Sequence, residues 1–214
     1  MTKVLILGAN GQIAREAIDL FKDRKDIQLS LFLRQAKRIQ PVAPSDSKII
    51  EGDVLNPEDL TAAVTGQDVV YANLSGTNSI EKQAKSVVTA MDKAGVKRLI
   101  WISTLGIYDE VPGKFGEWNH HMLDDGYLPN YSAAAKIIEA SDLDYTIIRP
   151  AWLTNKHEID YETTQKGTPF VGTEVSRRSV AAFVVELAEN PAIEIRHSVG
   201  LNKPNTDGDQ PAWY

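Results

Sequence analysis

Tyr131 and Lys136, in the stretch NYSAAAK, are the residue types of a proton donor and of the cation that tunes it. A free tyrosine gives up its proton near pH ~10, so acid chemistry at neutral pH needs a positive charge close to the phenol. Spacing decides whether Lys136 can supply it. On a helix, side chains four positions apart lie about 40° apart around the axis, and those five apart about 140°. Tyr131 precedes Lys136 by five positions, so a regular helix turns the two away from each other. They converge if Tyr131 sits at or before the helix start, which the Pro129-Asn130 pair just ahead of it allows.

A second chemistry is written at the other end of the chain. Gly8-Ala9-Asn10-Gly11-Gln12-Ile13-Ala14 follows the apolar run VLIL and opens a helix-period pattern of Ile13, Ala17, Ile18 and Phe21. Small residues in such a turn let the backbone approach a pyrophosphate, and the helix start supplies N–H donors and partial positive charge. The same residues also suit a tight turn with no ligand. The end of the second apolar run, SLFLRQAKR, bears on the choice of dinucleotide. An acid there accepts from both ribose hydroxyls of NAD, whereas Arg34 can grip a 2′-phosphate with two hydrogen bonds. With Lys37 and Arg38 close behind and no acid in the turn, we expect NADP(H) rather than NAD(H); the competing reading is a solvated basic turn.

These residues need a frame to hold them. Further β-rich runs stand at 27–33, 47–52, 68–74, 98–103 and 144–150, with helical patterns between most of them. Strands alternating with helices imply right-handed crossovers and a parallel sheet. The runs VLIL, VVYANL and LIWI do not alternate, as expected of strands covered on both faces. The expected fold class is α/β, a single Rossmann-type doubly wound parallel sheet spanning residues 1–214. Asn56 before Pro57, and Ser176 before RRSVAAFVVELAEN, read as helix starts. The stretches near 105–130 and 154–173, broken by prolines and glycines, read as long substrate-side loops, and the tail NKPNTDGDQPAWY as a fraying end. Phe115, Trp118, Met122, Leu123 and Tyr127 in the first loop either form a lid over an apolar substrate or pack onto the domain. His120-His121 with Asp124 and Asp125 reads as solvated surface, and no metal is expected.

The spacing Gly-x-x-Gly-x-x-Ala, with Gly52-Asp53-Val54 after the third strand, Asn73-Leu74-Ser75-Gly76 after the fourth, Ser103-Thr104 after the fifth and LDYTIIRPAWL at the sixth, resembles the short-chain dehydrogenase/reductase superfamily. Within it the chain is similar to the small atypical members, the NmrA-like and biliverdin-reductase-B-like NAD(P)H-binding proteins. The resemblance runs from about Lys3 to the helix near Glu189. It implies that Asp53 and Val54 flank the adenine, that Asn73, Leu74 and Ser75 lie along the ribose and phosphates, and that Pro150 and Trp152 meet the nicotinamide. It implies a ribose-binding role for Lys136, a substrate-side hydroxyl at Thr104, a cofactor-facing Ser103, and Tyr131 as acid with Tyr108 in reserve. Residue by residue, the alternatives are Asp53 capping its own turn, Trp152 filling the core, Tyr131 packing on the lid or core and Lys136 as an exposed helix lysine.

The formal net charge of −6 argues against the broad attraction that nucleic acid or an anionic membrane needs. The absence of cysteine removes disulfides and thiolate metal sites and suits a cytoplasmic location. The expected function is an NADPH-dependent oxidoreductase passing hydride to a small carbonyl, quinone or flavin-like acceptor. The displaced Tyr131 keeps a second function in view, a non-catalytic NADP(H)-binding redox sensor. A nucleotide-sugar epimerase or dehydratase fits less well, since little chain remains after the sixth strand for a substrate region. The expected partners are a small-molecule substrate and, through the helix from Ser79 to Ala94 and the helix after Tyr131, a homodimer.

Overall fold

The computed structural model describes residues 1–123 and 125–214; Asp124 lies outside the described residues. The first strand shows how the layers are built. In β1 (Thr2–Leu7) every residue from Val4 to Leu7 is fully buried. Val4 and Ile6 point into one core with α1 (Gln12–Phe21) and α6 (Arg177–Glu189). Leu5 and Leu7 point into a second core with α2 (Pro57–Val64), α3 (Ile80–Ala94) and α5 (Tyr127–Glu139). A strand apolar on both sides thus belongs between two helix layers.

Around β1 stand β2 (Ile27–Leu33), β3 (Lys48–Glu51), β4 (Val69–Ala72), β5 (Arg98–Ile102), β6 (Asp144–Pro150), β8 (Glu162–Gln165) and β10 (His197–Asn202). The order across the sheet is β3-β2-β1-β4-β5-β6-β10-β8. All neighbours run parallel except β8, which joins β10 antiparallel at the edge. Strand order reverses between β1 and β4, and in open α/β sheets ligands bind above the carboxyl ends of the strands at such a switch. A parallel two-stranded ribbon, β7 (Trp152–Thr154) with β9 (Glu174–Ser176), continues from the end of β6. No helix among the described residues is long and apolar enough to cross a membrane.

Two stretches expected to be irregular carry regular elements within them. The 105–130 stretch contains α4 (Gly113–Leu123) and the start of α5. Phe115, Gly116 and Asn119 form the buried face of α4, so packing overrides the cost of its glycines. Pro129 lies in the first turn of α5, where its missing N–H breaks no helical bond. The 154–173 stretch supplies β8. Nor does the tail fray. The Ala212 amide donates to Glu174 and the Tyr214 ring packs 4.9 Å from Trp118.

One buried ion pair ties down the turn after β5. Arg149 in β6 is fully buried and bonds Glu110, whose side chain is 5% exposed. The same guanidinium donates to the Ser198 hydroxyl at 3.1 Å and to the Thr164 carbonyl at 3.2 Å, reaching β10 and β8. Glu110 in turn accepts from the Gly106 amide at 3.1 Å and the Tyr108 amide at 3.0 Å. One carboxylate therefore fixes the turn after β5 onto β6. Removing one partner of such a pair leaves the other charge buried and alone, which costs about 3–5 kcal/mol, whereas replacing both with apolar residues of matched size costs far less. Glu110→Ala should lose about that amount in urea unfolding, and the double variant Glu110→Leu/Arg149→Met should recover most of it; equal losses in the two would rule out an electrostatic origin.

Candidate dinucleotide and acceptor site

The glycine turn forms because two chain segments meet there without room for side chains. Gly8 has φ of +73°, in the left-handed region, and its amide donates to the Phe32 carbonyl of β2 at 3.0 Å. A Cβ on Gly8 would run into the Asn73 carbonyl, and one on Gly11 into the Asn73 side chain. The end of β4 is thereby seated on the turn, with Asn73 Oδ1 accepting from the Tyr71 hydroxyl at 3.3 Å. Leu74 leans on Gly8, and the exposed Ser75 accepts from Gln83 through its carbonyl. Gly11 caps α1 without a side-chain hydrogen bond, so the first-turn amides of Gln12 and Ile13 are left for a ligand.

Arg15 was missed in the sequence. From the first turns of α1 it donates to Asn10 Oδ1 at 2.6 Å and to the Arg38 carbonyl at 2.9 Å. It bridges the glycine turn and the basic turn after β2, and its only sequence signal is an arginine one turn past the glycines. Arg34 is exposed and, among the described residues, makes no side-chain hydrogen bond or ion pair. With Glu51, Gly52 and Asp53 it lines a hollow of about 420 Å³. The turn contains no acid, but β3 brings one alongside: Glu51 accepts from the Ala36 amide at 2.7 Å and so holds the turn's shape. Asp53 caps its own turn by accepting from the Leu55 amide at 2.9 Å. Val54 is 7% exposed and packs into the core, so it meets a ligand chiefly through its backbone.

The residues expected on the substrate side stand above the ends of β5 and β6. Ser103 is 6% exposed, and its hydroxyl is buried without a hydrogen-bond partner. Thr104 is 8% exposed, and its hydroxyl is likewise unbonded among the described residues. The Pro150 carbonyl accepts from the Leu105 amide at 3.2 Å, joining the two strand ends. Trp152 is half-buried, its indole donating to Asn119 at 3.0 Å and lying 4.7 Å from Trp118. Of the lid candidates, the buried Phe115 stacks on the half-buried Trp118 at 6.1 Å, and Tyr127 stacks on Tyr131 in the other core, so these rings pack onto the domain.

Tyr131 does not sit at a helix start. It lies within α5 and follows regular helical geometry, which leaves Lys136 about 140° away around the axis. Its ring is 3% exposed and stacks on Tyr127 at 4.3 Å. Burial, then the neighbouring Tyr127, push its hydroxyl far above the ordinary tyrosine range, with the Gly76 backbone opposing weakly. Lys136 is exposed. Tyr108 is tied up as well: its hydroxyl donates to Glu139 at 2.7 Å, and burial first, then Glu139, raise its pKa. His120 bonds Asp109 at 3.1 Å.

Comparison with known proteins agrees with this geometry. The family model described as NAD(P)H-binding matches residues 8–191. A Rossmann-fold NAD(P)-binding family protein from Shigella flexneri is 46% identical, covering 99% of this chain and 98% of that one, with a TM-score of 0.85. A wide-type short-chain dehydrogenase/reductase from Veillonella parvula, solved in complex with NADP, is 31% identical over 99% of both chains, with a TM-score of 0.90. An uncharacterized sugar epimerase of Bacillus subtilis is 27% identical over 98% of this chain and 96% of its own length. The glycine turn, the switch between β1 and β4 and the matched span together make this chain a member of the NAD(P)H-binding family of atypical short-chain dehydrogenases/reductases.

Proposed function

We propose that this protein is an NADPH-dependent oxidoreductase whose acceptor is quinone- or flavin-like and takes no proton from a protein tyrosine. The observation that carries the reading is Tyr131. A general acid works best with a pKa near the operating pH, and burial holds this hydroxyl in the opposite direction. A carbonyl needs that proton as hydride arrives. A quinone or flavin spreads the incoming charge over its ring system and can take its proton from water, so it needs chiefly to be held in place. Positioning alone can supply about 7–11 kcal/mol of a barrier in well-oriented systems.

In this reading the whole chain works as one dinucleotide-binding unit. Gly8, Gly11 and the amides of Gln12 and Ile13 bind the pyrophosphate, with Asn10 held in place by Arg15. Asp53 and the Val54 backbone border the adenine. Asn73, Leu74 and Ser75 line the ribose and phosphates, and Pro150 and Trp152 back the nicotinamide. When bound, the nicotinamide supplies the hydride. Ser103 and Thr104 offer two unbonded hydroxyls to an acceptor or carboxamide oxygen, and a buried hydroxyl without a partner gains by meeting one. Lys136 reaches the ribose from its long stem. The Veillonella relative's NADP, together with the unpaired Arg34 and the nearby Arg15, favours the phosphorylated cofactor.

The sensor reading rests on the same tyrosine and parts from this one in turnover. NADPH oxidation with menadione and with FMN separates them: steady turnover supports the reductase, and tight NADPH binding without consumption would favour the sensor. General acids contribute about 10²–10⁴-fold, so Tyr131→Phe should leave quinone reduction within about twofold of wild type, and a loss of that larger size would restore Tyr131 as the acid. Arg34→Glu should weaken NADPH binding by about tenfold to a hundredfold, the worth of charge-assisted hydrogen bonds, with NADH binding little changed by calorimetry. A variant that kept its preference for NADPH would move the 2′-phosphate elsewhere.

A further inference from the structure

We infer that the protein carries a second ligand site, at the opposite edge of the sheet from the dinucleotide, for a small hydroxylated organic anion whose carboxylate or phosphate pairs with Arg196. The inference goes beyond the reductase reading and does not depend on it.

Glu139, Gln165, Lys166, Arg196, His197 and Ser198 line one hollow of about 620 Å³, a volume that suits a small organic molecule rather than a bare ion. Glu139 closes α5, Gln165 closes β8 and His197 opens β10, so the hollow lies at the amino ends of the parallel strands. The glycine turn and Pro150 stand at their carboxyl ends. The loop that brings Arg196 to the hollow is held in a costly conformation. Glu194 and Arg196 adopt φ of +51° and +59°, in the left-handed region that residues other than glycine seldom take. Neighbouring strands impose it. The Thr146 hydroxyl donates to the Glu194 carbonyl at 2.8 Å, Arg98 to the Ile193 carbonyl at 3.2 Å, and the Arg196 amide to the Tyr145 carbonyl at 2.7 Å. Backbone strain that the surroundings enforce in this way gathers at ligand sites.

The charges and spare hydrogen-bonding groups around the hollow name the ligand. Lys166 is matched by Glu139 at 2.7 Å, and His197 by Glu194 at 2.6 Å. Arg196 has no carboxylate partner among the described residues. Its Nη1 donates to the Ser141 carbonyl at 3.1 Å and the Leu143 carbonyl at 3.4 Å, and its guanidinium carbon lies 5.4 Å from the Tyr145 ring centroid. Nε and Nη2 bond no described residue, and that edge of the guanidinium is the one that grips a carboxylate or phosphate with two bonds. Two acceptors are spare as well. Glu139 takes the Tyr108 hydroxyl and Lys166 both on Oε1, leaving Oε2, and Gln165 donates to Glu194 through Nε2, leaving its Oε1. Water meets such groups singly on any surface. Here they converge on one hollow whose floor is fixed, because Ser198 is 3% exposed and accepts from the buried Arg149 at 3.1 Å. One anionic group for Arg196 and hydroxyls for Glu139 and Gln165 satisfy the set.

L-malate and glycerol 3-phosphate carry the two anions beside a hydroxyl, and inorganic phosphate carries the charge alone. Titrated by calorimetry into protein saturated with NADP⁺, at least one of the two organic anions should bind saturably, and which one does tells carboxylate from phosphate. Inorganic phosphate should bind about tenfold more weakly than the organic anion, the worth of the hydroxyl contacts. Arg196→Gln should weaken the organic anion by about tenfold or more and leave NADP⁺ affinity at the wild-type value. Arg196→Gly, which relieves the left-handed backbone, should do the same and covers the case in which Arg196→Gln folds poorly. Binding of neither organic anion would overturn the inference, as would affinity indifferent to both Arg196 variants. Inorganic phosphate binding as tightly as the organic anions would reduce the site to an adventitious ion only. Binding to the protein without cofactor that NADP⁺ abolishes would also overturn it, by placing the anion on the dinucleotide's own contacts.

Discussion

The buried pairing of Arg149 with Glu110 joins the turn after β5 to β6, β10 and the edge strand β8. Arg149 is buried in β6 among Ser198, Thr164, Tyr108 and Phe170, whose rings lie 5.4 and 5.9 Å from the guanidinium. Such a pair contributes little net stability, because desolvating two charges offsets most of their attraction. Its worth is geometric. A buried guanidinium must find its partners, and only one arrangement of the turn after β5, the end of β6, β10 and the edge strand β8 provides them. Thr104 and Pro150 stand at the two strand ends so joined.

The cofactor half has a different kind of constraint, built from absence of side chains rather than from charge. Gly8 and Gly11 lie so close to Asn73 that a methyl at either position would displace the end of β4 or its side chain. Close approach and an uncapped helix start are two consequences of the same glycines. One brings the switch point together, and the other leaves donors facing it. Arg15 then ties this turn to the basic turn after β2, so that Asn10, Arg38 and the Arg34 hollow are placed by a single side chain.

How much of this was legible depended on whether the signal was local. The run at 27–33 and the run at 144–150 coincide with β2 and β6, because short β-rich runs bounded by polar turns carry their own boundaries. Asn56 caps α2 ahead of Pro57, and Ser176 caps α6, for the same reason. The helix α4 was hidden because its glycines disfavour it locally and only Phe115 and Asn119 packing inward restore it. The tail was hidden because its anchor, Glu174, lies far away in sequence. Arg15 and Glu51 were missed alike: each acts on a turn in another segment, and nothing nearby in the chain marks them.

The five-residue step from Tyr131 to Lys136 was visible from the start, and its consequence came from the helix around it. Because α5 begins at Tyr127 rather than after Pro129, Tyr131 has no freedom to turn back toward the lysine. Tyr127 lies one turn earlier on the same face and stacks on it, so burial of the second ring follows from the placement of the first. In the proposed reductase, an acid that is insulated rather than activated shifts the burden of hydride transfer onto position. Position is what the fixed indole of Trp152, the joined ends of β5 and β6 and the unbonded hydroxyls of Ser103 and Thr104 provide. The proposed acceptor, one that stabilises its own charge, is therefore one whose needs match what these residues supply.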